Sequence, residues 1–94
     1  MTPEKIFAVV SRYETELSQL GVVPTRIDTS RTFGDCTHVE LLAHAAYLCI
    51  GAKEFASRPE KFGKANRHLT AIQMCLSFVG MYTLDDLMSH NRPT

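Results

Sequence analysis

Two stretches of this chain read as helices that are apolar on both sides, and that limits the possible folds more than any other feature. The later one runs from Ser57 to Gly80, SRPEKFGKANRHLTAIQMCLSFVG. Phe62, Ala65, Leu69, Ile72, Leu76 and Val79 recur at steps of three and four, so they line one stripe of an α-helix. At about 100° per residue, Ala71, Met74 and Phe78 fall on the opposite side, with Arg67 one turn earlier. Ser57 and Glu60 have the spacing of a capping box, Pro59 suits a first helical turn, and Gly80 suits a helix end. The spacing predicts a helix over residues 58–79.

The earlier stretch follows a second capping-box pair, Thr37 and Glu40, and predicts a helix over 38–56. Leu41, Ala45, Leu48, Ala52 and Phe55 form one stripe; Val39, Ala43, Ala46 and Ile50 form the reverse, with Tyr47 at the border. Arg58 and Pro59 make a sharp turn into the later segment, so the two form an antiparallel hairpin. Thr2, Pro3 and Glu4 open a further helix over about 3–20, carried by Ile6, Val10, Tyr13, Leu17 and Leu20 and stopped by Gly21. Thr83 and Asp86 cap a short helix over about 84–90, packing through Leu84, Leu87 and Met88.

The expectation is an all-α single domain over 1–94, a helical hairpin joined by an N-terminal and a short C-terminal helix. A helix with two apolar faces needs cover on both, and a chain of 94 residues is short of material to supply it. The sequence therefore predicts a homodimer or higher homo-oligomer through Val39, Ala43, Ala46, Ile50, Ala71, Met74 and Phe78, with Arg67 as a charged rim.

Residues 21–36, GVVPTRIDTSRTFGDC, have no helical period and contain Pro24 and Gly34. A loop of this length is often functional. Val22, Val23, Ile27 and Phe33 are expected to pin it. Arg26 and Arg31, standing among hydroxyl side chains, together with Arg67 offer donors for a small anion or nucleotide, with Tyr13 or Tyr47 as a stacking face. The simpler reading of the loop is a solvated crossing.

Charge narrows the partners. Ten basic and ten acidic residues balance, so nothing global draws the chain to nucleic acid or an anionic membrane. No apolar run has the length of a membrane span, no signal-peptide layout opens the chain, and the expected location is the cytoplasm. Cys36, Cys49 and Cys75 have no metal or redox spacing and read as reduced thiols.

Catalytic patterns are sparse. Glu40 and His44 share a helix face, and the hairpin brings His68 towards them, a set able to grip a metal. The competing reading is ion pairing and edge histidines. There is no nucleophile elbow, phosphate loop or dinucleotide fingerprint. Non-enzymatic activity without a cofactor is expected, and Gln73, at the edge of a core stripe, is expected to bridge helices.

Three pieces, LLAHAAYLC, EKFGKANRHLTAIQMCLSFVG and YTLDDLMSHNRP, spanning about 41–93, resemble small helical proteins of bacteria and their phages. The chain departs from that group at His68, where the group often has an aromatic residue, and at Thr70 and Met74, where it often has glycine. The resemblance implies a hairpin fold, a phage or prophage setting and a host or phage protein as partner. The expected function is an interaction or oligomerisation module; the alternatives are an anion-sequestering protein and a metal-dependent enzyme.

Overall fold

Three helices start on a threonine whose hydroxyl accepts from the backbone N–H three residues on. Thr2 opens α1 (Pro3–Gln19), Thr37 opens α2 (His38–Ala56) and Thr83 opens α4 (Leu84–Asn91), with N···O distances of 3.1, 3.1 and 3.0 Å. Glu40 and Asp86 return the bond to the threonine N–H at 2.9 Å, completing both expected capping boxes. The structure, a computed structural model, describes residues 1–93.

The start of α3 (Phe62–Phe78) differs from the expectation. Ser57 is the last residue of the α2 turn, with φ −83° and ψ −2°, and its hydroxyl donates to the Glu54 carbonyl at 2.7 Å. With that hydroxyl engaged backwards, a 3₁₀ turn over Pro59–Lys61 leads into α3, and no side chain caps it. Gly21 and Gly80 close α1 and α3 at φ 79° and 80°. In each, the next residue returns an N–H to the helix: Val22 to the Leu17 carbonyl and Met81 to that of Leu76.

The chain is all-α, as expected. α2 and α3 form the central antiparallel pair, marked at one end by His38 against Phe78 and at the other by Gly51 against His68. α1 lies across them and buries Ile6, Val9, Val10, Tyr13 and Leu17. α4 contributes Leu87 to the core, whereas Leu84 and Met88 stay exposed, because α4 meets the bundle along one narrow edge.

Behind α4 the core holds a polar cluster. Gln73, 6% exposed, donates to the Tyr13 hydroxyl at 3.1 Å and to Asn91 Oδ1 at 2.7 Å, and Asn91 donates back at 3.1 Å. The Tyr13 hydroxyl, which accepts from Gln73, is also hydrogen-bonded to His90 Nδ1 at 2.7 Å. Gln73 thus links α3 to α1 and α4, and His90 and Asn91, in the last turn of α4, act as fasteners.

The long loop runs antiparallel to α2 and is tied to it three times. Thr25 N–H donates to the Ala43 carbonyl at 3.0 Å, Ile27 N–H to His44 Nδ1 at 3.3 Å, and Arg31 to the Glu40 carboxylate at 2.5 Å. Val22 and Ile27 pack against the core, but Val23 is exposed and pins nothing. Cys36, Cys49 and Cys75 are free and buried.

Candidate functional site

The loop's path creates a cleft of about 750 Å³ between the loop, the outer side of α2 and the first half of α3. Its floor is histidine. His44, 8% exposed, spends Nδ1 on the Ile27 N–H, so Nδ1 carries the lone pair and the proton of the neutral ring sits on Nε2. His68 does the reverse: its Nδ1 faces the Lys64 carbonyl at 3.1 Å, so Nδ1 carries the proton and Nε2 the lone pair. Neither Nε2 finds a partner among the described residues, and neither is sealed from solvent. Burial pushes both rings below the usual histidine range, Arg26 and His68 adding to the effect at His44, and both are neutral at pH 7.

Aromatic rings wall the floor. Tyr47 lies nearly parallel to His44, with centroids 6.1 Å apart, and Phe33 meets its edge at 5.9 Å. Phe55 meets His68 edge-on at 5.1 Å and carries the Lys64 ammonium 4.6 Å over its ring. Charge at the rim is unequal. Arg31 is matched by Glu40, and Glu54, the acid that lines the cleft, lies 3.7 Å from Arg58. Arg26 and Lys64 have no carboxylate within ion-pair distance among the described residues.

The predicted metal set does not assemble. Glu40 is held by Arg31 and by the Thr37 N–H, which together keep its carboxyl at about 2, and His44 Nδ1 is occupied by the loop. Among the described residues no three metal-ligating side chains converge. The predicted anion set is corrected in membership. Arg26 lines the cleft with Lys64; Arg31 lines it but is neutralised; Arg67 is not among the residues that line it. Of the two tyrosines, Tyr47 borders the cleft while Tyr13 is in the core.

The predicted oligomer face is divided. Ala46 is part of the chain's own core, and Ala43 is half-buried where Thr25 crosses it. Val39, Ile50, Met74 and Phe78 remain 75, 53, 44 and 57% exposed. Ala71 is half-buried between them and Arg67 is exposed. Lys64 was not singled out by sequence, and Phe33, Phe55 and Gly51 read there only as packing residues. The signal available was Lys64 one turn before His68, on the same face of α3.

No family model, curated protein or solved structure matches the chain. No helix among the described residues is long and apolar enough to cross a membrane.

Proposed function

We propose that the protein is a non-enzymatic interaction module that pairs with a second copy of itself through the outer seam of the α2–α3 hairpin. One observation carries this reading: Val39 and Ile50 on α2 and Met74 and Phe78 on α3, four large apolar side chains of the hairpin, remain 44 to 75% exposed. The antiparallel register sets His38, the neighbour of Val39, against the Phe78 ring, and Met74 lies one turn earlier on α3. The small, half-buried Ala71 allows close approach of a partner helix. A twofold operation along the seam places the same stripe against itself, with Arg67 at the border. A host or phage protein on the same stripe is the second occupant that the resemblance to phage-associated helical proteins favours.

Sedimentation of the purified chain tests the pairing. The wild type is expected above its 10.5 kDa monomer mass, and Phe78→Glu is expected to run as a monomer with its helix content intact. A wild type that stays monomeric at the highest concentration reached removes self-pairing.

A further inference from the structure

Gly51 stands in the middle of α2, where glycine costs about 1 kcal/mol relative to alanine, and nothing in the local structure asks for it. Its φ is not positive, and a Cβ there would meet nothing closer than the His68 ring at 3.5 Å, an ordinary contact. What the missing side chain leaves open is the ring edge of His68, including Nε2, on the floor of the cleft.

The surroundings of that opening share one chemistry. A chain of zero net charge places at one cleft two cations, Arg26 and Lys64, that have no ion-pair partner among the described residues. The backbone behind the floor forces a donor at His44 Nε2 and an acceptor at His68 Nε2. The Tyr47 ring lies alongside as a flat apolar wall. Ligand clefts of this volume combine apolar walls with a few convergent polar groups. The loop carrying Arg26 is held by two backbone N–H bonds to α2, one on either side of that residue.

We propose that this cleft binds a small organic anion bearing an aromatic or heteroaromatic ring. Arg26 and Lys64 take its charged group, Tyr47 faces its ring, and His44 and His68 meet its polar edge as donor and acceptor. The site uses none of the outer-seam side chains except Ile50, which borders both, so it stands independently of self-pairing.

Amide and histidine-ring NMR titrations test it with four probes: adenosine 5′-monophosphate, benzoate, adenosine and inorganic phosphate. The expected result is saturable shifts at Ile27, Gly51 and the rings of His44 and His68 with at least one of the two ring-bearing anions. Adenosine and inorganic phosphate should each bind at least ten-fold more weakly. Replacing both Arg26 and Lys64 with Gln should weaken the bound anion at least ten-fold, and Arg67→Gln, outside the cleft, should leave it unchanged. Both cleft cations are exposed and form no ion pair among the described residues, so amide dispersion should show the double variant folded. No saturable shift with either anion overturns the proposal. So do binding by adenosine equal to that of its monophosphate, and unchanged affinity in the double variant.

Discussion

The carboxamides of Gln73 and Asn91 exchange two hydrogen bonds, at 2.7 and 3.1 Å, across the junction of α3 and α4. Each side chain supplies what the other lacks, and the spare proton of Gln73 goes to Tyr13. Because Gln73 is buried, removing one partner strands the other. Asn91→Ala is expected to cost about 1–3 kcal/mol, the range for an orphaned buried polar group. Gln73→Ala is expected to cost more, since it also frees Tyr13. In urea denaturation the double variant should lose less than the sum of the two single losses. Additive losses would mean that the pair is solvated in the native state.

Helix caps give a sharper contrast. Thr37→Ala is expected to lose about 1 kcal/mol, because its hydroxyl satisfies the Glu40 N–H at the start of α2. Ser57→Ala is expected to stay within about 0.5 kcal/mol, the range of surface changes away from structural features, because its hydroxyl caps no N–H. Equal losses at both positions would restore a capping role to Ser57.

Gly51→Ala is expected to stabilise the fold by up to about 1 kcal/mol. In a domain of this size that raises the melting temperature by about 4–8 °C. The added methyl reaches ordinary contact with the His68 ring, so the same variant narrows the cleft. A fall in melting temperature would show that His68 or Phe55 cannot yield to it.

Stability should decline on both sides of neutrality. Burial holds His44, His68 and His90 below the ordinary histidine value of 6.5. As pH falls through 6.5 the unfolded chain takes up protons that the folded chain refuses, so stability is lost on acidification. Glu40, kept at about 2 by Arg31 and Thr37, stays charged throughout that window and adds no slope. On the alkaline side, burial raises the Tyr13 phenol to about 12. The unfolded chain releases that proton from pH 10, so this contribution is whole below 10 and fades towards 12. Urea midpoints at pH 5.5, 7.5 and 10.5 should peak at the middle value; a flat profile from 5.5 to 7.5 would mean the histidines titrate normally in the fold.

What the residues disclosed in advance was the part governed by near neighbours. Thr37 with Glu40 and Thr83 with Asp86 lie within one turn of each other, so their caps could be read from spacing. Ser57 and Glu60 share that spacing but sit where one helix ends as another begins, and the carbonyl of Glu54 won the hydroxyl. Periodicity placed Gln73 at a core edge without showing Asn91, because that contact depends on how α4 folds back. The cleft was least visible. Lys64 and His68 are a turn apart on α3, yet their meeting with Arg26 depends on the route of the loop. That route is set by one bond each to Ala43 and His44 and a paired contact to Glu40, with no repeating pattern to betray them. Ala46 was assigned outward because a two-faced stripe does not say which face the partner helix covers.

The two histidines on the cleft floor are the same residue type made chemically opposite by what lies behind them. Having one that gives and one that takes, without any change of ionisation, endows the surface with a sense of direction. A guest with unlike ends can settle there only one way round, and one with two identical ends leaves half of the floor unanswered.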